Sequence, residues 1–328
     1  MKKTVVVTDR ISVFDIEKTI LGDDFDVVYL PDVEESEKRQ EILFKACALL
    51  VWHEEISEEF FLQIPNCKII VRYGTGYDNI DLDVAKSRGI QVCYNPDYGV
   101  DEVADTTCAM ILNAIRQVSL YSSNSQLSST QWGVPSEIKI SRTASHRLGI
   151  IGAGRIGTSV ARKMQVFGMK VAFFDPYLAR GYEKSIGVER FETIADLQEF
   201  STIVTFHCPL SEETKGMLNI DFIKNLNDET ILINTSRGGL IEDLNHLDWG
   251  IKNAKISFLG LDVAPTEPID LNRKPVKGWI EDRSLRQRVT ITPHTAYYSQ
   301  ESYIELRTKA ATNIKRFFDG LQPFNILI

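Results

Sequence analysis

The chain of 328 residues is about twice the length of a typical single domain, so two domains are expected. Its 37 basic and 45 acidic side chains leave a net charge of −8, which argues against a protein that binds the nucleic-acid backbone. No apolar run is long enough for a membrane span or a signal peptide, so a cytoplasmic protein without membrane attachment is expected. The five cysteines form no ligand cluster, which favours reduced thiols and predicts no metal site.

The first hundred residues alternate short β-branched runs with charged segments. The predicted strands are Thr4–Thr8, Phe25–Leu30, Ala48–Trp52, Lys68–Arg72 and Ile90–Tyr94. Segments such as Glu35–Ala46 and Asp81–Ser87 lie between them and predict helices. Strands that are apolar almost throughout, joined by helices, indicate a parallel sheet covered on both faces.

The rest of the chain repeats this alternation after a helix predicted over residues 100–122 and a polar loop or arm over residues 123–146. The predicted strands are Leu148–Ile151, Val171–Phe174, Ile203–His207, Ile231–Thr235, Ile256–Val263 and Val289–Thr292. The predicted helices are Arg155–Phe167, Ile220–Leu226, Glu242–Lys252 and Gln300–Phe318. Two doubly wound α/β domains fit this pattern better than one large sheet.

A glycine-rich turn follows the strand that ends at Ile151. Gly152, Gly154 and Gly157 form the spacing GxGxxG between this strand and the next helix. The first glycine permits a tight turn, the second lets the backbone approach a pyrophosphate, and the third lets helix and strand pack closely. The helix N-terminus then faces the negative charge of the phosphates.

Asp175 ends the next predicted strand and lies 23 residues beyond Gly152. A carboxylate at this spacing accepts hydrogen bonds from the ribose hydroxyls and repels a 2′-phosphate, so the sequence predicts NAD and disfavours NADP. The alternative is a structural turn followed by a surface aspartate.

Three further predicted strands are each followed by polar residues, which include Arg237, Glu267 and His294. Ligands bind at the carboxyl ends of the strands in an open α/β sheet, so these side chains are expected to converge. An arginine holds a carboxylate through two parallel hydrogen bonds, a histidine protonates a carbonyl oxygen, and a carboxylate beside the histidine fixes its tautomer. Taken singly, each residue is as compatible with a surface ion pair, a solvated loop or a cap.

With these motifs, the chain resembles the D-isomer-specific 2-hydroxyacid dehydrogenases, and within them the branch of the phosphoglycerate dehydrogenases and C-terminal binding proteins. The segments that carry the resemblance extend over nearly the whole chain. They read RYGTGYDNID, LGIIGAGRIG, FFDPYL, HCPL, NTSRGGLI, GLDVAPTEP and TPHTAYYS.

The resemblance implies a role for each matching residue. Arg237 would anchor the substrate, His294 would donate the proton, and Glu267 would be the partner of His294. The implied cofactor contacts are Gly152, Gly154, Arg155, Ile156 and Gly157 at the pyrophosphate turn, Asp175 on the adenosine ribose, Cys208, Pro209 and Thr214 beside the adenine, Thr106 near the phosphates, and Thr235 and Asp262 near the nicotinamide. The implied substrate contacts are Tyr73, Gly74, Thr75, Gly76, Arg237 and Tyr297.

The resemblance also implies the domain organisation. Residues 1–99 and 299–328 would form a flavodoxin-like substrate domain, residues 100–298 a Rossmann domain that binds NAD, and a cleft would lie between them. The segment Gln126–Trp132 resembles an arm that embraces a second subunit, so a homodimer is expected.

The predicted function is an NAD-dependent dehydrogenase that interconverts a small 2-oxo acid and its D-2-hydroxy acid. The alternative is an NAD(H)-sensing interaction protein, as in the C-terminal binding proteins. A formate-type enzyme fits less well, because the formate enzymes resemble a pattern with Gln at the position of Glu267. Two features stay open. The charged loop 266–288 is either a solvated surface or an aid to an acidic substrate. The side chains of His53, Tyr73, Tyr98 and Tyr297 either line the pocket or have ordinary surface and packing roles.

Overall fold

A computed structural model describes residues 2–9, 11, 13–33, 35–127 and 140–328. The chain divides into two compact units. Unit 1 consists of Met1–Gly99 and Tyr298–Ile328, and unit 2 consists of Val100–Tyr297. Each helix in the described part of the chain is too short or too polar to cross a membrane.

Unit 1 is built on a parallel sheet whose strands alternate with helices. The strands are β1 (Lys3–Val7), β2 (Phe25–Tyr29), β3 (Ala46–Val51), β4 (Ile69–Arg72) and β5 (Gln91–Cys93). The helices between them are α1 (Asp15–Leu21), α2 (Ser36–Lys45), α3 (Glu58–Gln63) and α4 (Leu82–Ser87). Each predicted strand of this unit is confirmed, with ends within two residues of the prediction.

The strand order in the described part of unit 1 is β2-β1-β3-β4-β5, and all pairs are parallel. This is the flavodoxin-like order, so the predicted fold class is confirmed for this unit. Consecutive residues of β3 from Ala48 to Val51 are all buried. Because neighbouring residues of a strand point to opposite faces, burial of both sets shows that both faces of the sheet are covered.

Unit 2 contains a second parallel sheet and the remaining internal helices. The strands are β6 (Arg147–Ile151), β7 (Lys170–Phe174), β8 (Glu189–Phe191), β9 (Ile203–Phe206), β10 (Thr230–Asn234), β11 (Ile256–Leu261) and β12 (Val289–Ile291). The helices are α5 (Val100–Arg116), α6 (Val118–Leu127), α7 (Arg155–Val166), α8 (Tyr182–Ile186), α9 (Ile194–Phe200), α10 (Ile220–Lys224), α11 (Leu244–Lys252), α12 (Val276–Glu281) and α13 (Arg283–Arg286). The last helix of the chain, α14 (Gln300–Phe318), returns to unit 1.

The strand order of unit 2 is β12-β11-β10-β9-β6-β7-β8, and all pairs are parallel. From the central strand β6 the chain adds β7 and then β8 on one side. It then crosses back and adds β9, β10, β11 and β12 on the other side of β6. Alternate residues of the strands enter two different apolar clusters: Ile150 and Phe173 pack with α5 and α7, whereas Ile151 and Ala172 pack with α10 and α11. Helices therefore cover both faces, as the prediction of a doubly wound Rossmann domain requires.

The structure departs from the predicted elements at several places. The helix predicted over residues 100–122 is broken at Gln117, whose φ of 50° does not continue a right-handed helix. The short strand β8 was not predicted, because its sequence Glu-Arg-Phe lacks an apolar run. The charged loop predicted over residues 266–288 contains α12 and α13, and Trp279 of α12 is buried.

Candidate active site

The glycine turn after β6 has two tightly packed glycines and one open glycine. Gly152 has φ +91°, and a side chain there would lie 2.6 Å from the backbone nitrogen of Cys208. A side chain on Gly157 would lie 2.1 Å from the carbonyl oxygen of Gly152. At Gly154, by contrast, a Cβ would meet no atom within 4 Å. The turn therefore leaves its open side beside the second glycine, which fits the approach of a dinucleotide pyrophosphate.

Helix α7 starts at this turn, so its first N–H groups face the same open side. The side chain of Arg155 is exposed, whereas the side chain of Ile156 packs against the core of unit 2. Ile156 can therefore contact a phosphate through its backbone and not through its side chain.

Asp175 follows β7 and is fixed beside the glycine turn. Its Oδ2 accepts a hydrogen bond from the N–H of Ala153 at 2.9 Å, and its Oδ1 accepts one from the N–H of Tyr177 at 3.0 Å. A carboxylate oxygen has two lone pairs, so both oxygens keep acceptor capacity for ribose hydroxyls. The N–H donors of the turn and of the helix terminus, together with the acceptor oxygens of Asp175, fit NAD.

The loop after β9 carries Cys208, Pro209 and Thr214. Burial raises the pKa of the Cys208 thiol to about 12, so this thiol is not a nucleophile. The hydroxyl of Thr214 donates to the carbonyl oxygen of Pro209 at 2.6 Å and accepts from the N–H of Ser211 at 2.8 Å. These bonds close the loop into a compact turn at the carboxyl end of β9.

Helix α5 contributes two threonines to this edge of the sheet. The hydroxyl of Thr106 donates to the carbonyl oxygen of Ala296 at 3.3 Å. The hydroxyls of Thr107 and Thr235 are 2.8 Å apart and both residues are buried. The sequence identified Thr106 and Thr235 but missed Thr107, which ties α5 to the segment after β10.

His294 and Glu267 form a close hydrogen-bonded pair. Nδ1 of His294 lies 2.6 Å from Oε2 of Glu267, and the N–H of Ala264 donates to Oε1 at 3.0 Å. Burial alone would raise the pKa of Glu267, but the hydrogen bonds from His294 and Ala264 and the charges of His294 and Arg237 lower it below its ordinary value of 4.5. The ionised carboxylate of Glu267 can only accept a hydrogen bond, so Nδ1 of His294 carries a proton. Nε2 is the ring nitrogen that does not bind Glu267.

Arg237 belongs to the same cluster, since its charge helps to lower the pKa of Glu267. The two loops that carry these residues meet at Gly238, where a side chain would lie 1.8 Å from the carbonyl oxygen of Ala264. Only glycine permits that approach. The sequence NTSRGG therefore contained a signal, the glycine after Arg237, for the convergence of the two loops.

Asp262 holds the loop that carries His294. Its Oδ1 accepts from the hydroxyl of Thr292 at 2.6 Å and from the N–H of Thr295 at 2.9 Å, and its Oδ2 accepts from the N–H of Ala296 at 3.0 Å. The N–H of His294 donates to the carbonyl oxygen of Asp262 at 2.8 Å. His294 has φ 54°, a left-handed conformation that needs such support. The sequence predicted a cofactor contact for Asp262 and missed this positioning role.

The predicted pocket residue Tyr73 lies in the core of unit 1. Its side chain is fully buried, and its hydroxyl donates to Oε1 of Glu17 at 2.9 Å. Its N–H donates to the carbonyl oxygen of Val51 at 2.8 Å. Tyr73 is thus a core residue of unit 1, because a buried carboxylate needs its hydroxyl as a donor.

The next three residues of this loop lie at its surface or just below it. Gly74 is buried, and a side chain there would lie 2.7 Å from a guanidinium nitrogen of Arg72. Thr75 is exposed, with its hydroxyl donating to the carbonyl oxygen of Asn95 at 3.2 Å, and Gly76 is half-buried. The loop therefore presents the backbone of Thr75 and Gly76.

The remaining candidate side chains have individual environments. The ring of Tyr297 stands edge-on to His294, with centroids 6.3 Å apart. His53 is exposed, and its Nδ1 lies 3.6 Å from Oδ2 of Asp9. Tyr98 is almost completely buried.

In the described residues, no three His, Cys, Asp or Glu side chains are grouped to hold a metal ion. The predicted arm lies mostly outside the described residues.

Comparison with known proteins agrees with this geometry. Residues 108–296 match the family described as "D-isomer specific 2-hydroxyacid dehydrogenase, NAD binding domain". This match covers more than half of the chain, and the chain therefore belongs to the D-isomer specific 2-hydroxyacid dehydrogenase family. The resemblance identified from the sequence and the predicted cofactor NAD are both confirmed.

Individual relatives are similar over nearly the whole chain. C-terminal-binding protein 1 of Caenorhabditis elegans is 30% identical over 94% of this chain and 42% of its own length. D-3-phosphoglycerate dehydrogenase of Bacillus subtilis is 32% identical over 97% of this chain and 57% of its own length. The chain spans about half the length of these curated relatives. The structure of D-lactate dehydrogenase from Aquifex aeolicus, complexed with NAD and lactic acid, superposes with a TM-score of 0.83, 29% identity and 96% coverage of both chains.

Proposed function

We propose that this protein is an NAD-dependent dehydrogenase that interconverts a small 2-oxo acid and its D-2-hydroxy acid. The observation that carries the proposal is the pairing of His294 with Glu267 at 2.6 Å beside the charge of Arg237. Arg237, Glu267 and His294 follow β10, β11 and β12 respectively. They therefore lie beyond the carboxyl ends of these strands, where an open α/β sheet binds its ligands.

In this proposal the three side chains have separate tasks. Arg237 holds the substrate carboxylate through paired hydrogen bonds and polarises the adjacent carbonyl. His294 donates the proton from Nε2 to the carbonyl oxygen, because Nδ1 is bound to Glu267. Glu267 keeps the ring in that tautomer.

Bound NADH supplies the hydride. Gly154, the first N–H groups of α7 and Asp175 would hold the dinucleotide, and the Asp175 carboxylate would favour NAD over NADP. Thr106, Thr235 and Asp262 remain proposed contacts of the cofactor. The backbone amides of residues 74–76 remain the proposed contact of the substrate carboxylate, and unit 1 the proposed substrate domain.

The first experiment is NADH oxidation with a panel of 2-oxo acids. The panel contains glyoxylate, hydroxypyruvate, phosphohydroxypyruvate, pyruvate, 2-oxoglutarate and phenylpyruvate. A saturable rate with one member is expected, and His294→Ala should lower kcat about 10²- to 10⁴-fold because the proton donor is gone. The affinity for NADH should stay within about threefold, since this proposal gives His294 no contact with the dinucleotide. Turnover of His294→Ala near the wild-type rate would contradict the mechanism.

The second candidate function is an NAD(H)-sensing interaction protein. It is favoured by the 30% identity to C-terminal-binding protein 1 of Caenorhabditis elegans over 94% of this chain. Tight NADH binding without turnover of any panel member, together with partner capture that persists in His294→Ala, would support it. Light scattering of the purified chain would test the proposed homodimer in either case.

A further inference from the structure

Tyr177 makes one hydrogen bond to Asp175 and another to a second carboxylate, that of Glu213. The hydroxyl of Tyr177 donates a hydrogen bond to Oε2 of Glu213, and the N–H of Tyr177 donates to Oδ1 of Asp175 at 3.0 Å. Tyr177 thus joins the segment after β7 to the loop after β9. The hydrogen bond to Glu213 raises the pKa of Tyr177, so the phenol keeps its proton and remains a donor at neutral pH.

The loop that carries Glu213 is packed directly on the glycine turn. The N–H of His207 donates to the carbonyl oxygen of Ile151 at 2.8 Å, and the backbone of Cys208 closes over Gly152. Burial, with a smaller contribution from the charge of Asp175, raises the pKa of Cys208 to about 12. The loop, the turn and Asp175 therefore form one edge of unit 2.

Arg190 binds the backbone of Asp175 but is engaged by other groups as well. Arg190 donates to the backbone carbonyl oxygens of Asp175 at 3.1 Å and of Leu178 at 2.8 Å, and its Nε lies 3.5 Å from Glu192. Its side chain is only 10% exposed. Arg190 is thus committed to the backbone and to Glu192 and cannot turn to receive a phosphate without losing these bonds.

We propose that Glu213, held by Tyr177, is a second determinant of cofactor specificity that excludes a dinucleotide with a 2′-phosphate. Asp175 would accept hydrogen bonds from the ribose hydroxyls and would repel the phosphate. Glu213 adds another negative charge, which the hydrogen bond from Tyr177 holds on the side of the site formed by the loop after β9. This proposal rests on the binding of the dinucleotide and not on turnover, so it stands or fails independently of the reaction proposed above.

The test is a direct measurement of NADH binding and NADPH binding by calorimetry. Glu213→Gln keeps the size and an acceptor oxygen but removes the charge. We expect the ratio of the NADPH and NADH dissociation constants to fall about three- to tenfold, mainly through tighter NADPH binding, because exposed charges interact weakly. Raising the salt concentration should shrink the difference between wild type and variant.

Two further variants locate the effect. Glu212→Gln removes an exposed charge from the neighbouring position of the same loop and should change the ratio less than twofold. Tyr177→Phe removes the donor that holds Glu213, and it should lower the ratio by less than Glu213→Gln because the charge stays. A ratio unchanged in Glu213→Gln, or an equal loss of affinity for both dinucleotides, would overturn the proposal.

Discussion

Glu17 of unit 1 and Glu267 of unit 2 are each paired with a basic side chain, and these two pairs differ in how far water reaches them. In unit 1 the side chains of Glu17 and Arg307 are 0% and 6% exposed. In unit 2 the side chains of Glu267 and His294 are each 34% exposed. The first pair is enclosed, whereas water reaches the second. The comparison predicts that changes to the first pair affect folding and changes to the second affect turnover.

In the enclosed pair, both carboxylate oxygens of Glu17 accept hydrogen bonds. Arg307 donates from Nε to Oε1 of Glu17 at 2.9 Å and from Nη2 to Oε2 at 2.5 Å. Tyr73 donates to the same carboxylate, and Asp15 accepts from Arg307 at 3.0 Å. A buried carboxylate is stable only when its charge and its lone pairs are satisfied in this way.

The largest expected effect is therefore on stability. Arg307→Met should lower the free energy of unfolding by about 3–5 kcal/mol, because it leaves Glu17 charged and buried without its cation. Urea unfolding followed by circular dichroism measures the loss. The matched control is Lys315→Met on the same helix, whose surface pair with Asp319 at 3.0 Å should be worth under about 0.5 kcal/mol. Equal losses in both variants would contradict the distinction between the two pairs.

The next effect concerns the loop that carries His294. Asp262→Asn replaces an oxygen that accepts from the backbone with a donor, so at least one bond to Thr292, Thr295 or Ala296 is lost. We expect kcat to fall about 10- to 100-fold through misplacement of His294. Thr295→Ala, which keeps the N–H group that Asp262 binds, should stay within about threefold of wild type. A larger change in the NADH dissociation constant than in kcat would show that Asp262 acts mainly on the cofactor.

Tyr73→Phe is expected to have a smaller effect on the enclosed pair. It removes one of the donors to Glu17 but leaves both bonds from Arg307 in place. The free energy of unfolding should fall by about 1–2 kcal/mol. Thermal unfolding of Tyr73→Phe and Arg307→Met side by side would show whether the cation or the phenol matters more to Glu17. A greater loss for Tyr73→Phe would reverse the order predicted here.

The smallest effect concerns the stability contributed by Glu267 and its dependence on pH. The pKa of Glu267 is lower in the folded chain than its ordinary value of 4.5, so the ionised carboxylate stabilises the fold above that pH. Glu267→Gln should cost under about 1 kcal/mol at neutral pH, because the pair is one-third exposed to water. The difference between wild type and variant should shrink as the pH falls below about 4.5. In a His294→Ala background the same substitution should cost less.

The sequence predicted the sheets well, because their central strands are apolar runs that only a buried parallel sheet accommodates. It also placed the glycine turn, Asp175 and the order Arg237, Glu267 and His294. It did not predict the bonds of Asp262, because three of the four donors in that loop are backbone N–H groups that leave no mark on residue choice. For a similar reason it did not predict the buried environment of Tyr73. Its partners Glu17 and Arg307 are 290 residues apart, and no local pattern relates them.

The return of α14 to unit 1 has a consequence for the order in which the chain is made. Unit 2 is complete once residue 297 has been synthesised, and its contacts are available within its own segment. Glu17, by contrast, emerges from the ribosome long before Arg307, so its charge must stay in water until the last helix arrives. Since pairing across such a separation is slow, unit 1 is expected to acquire its native structure after unit 2. A translational pause between the two events would leave a folded unit 2 joined to an unfinished unit 1.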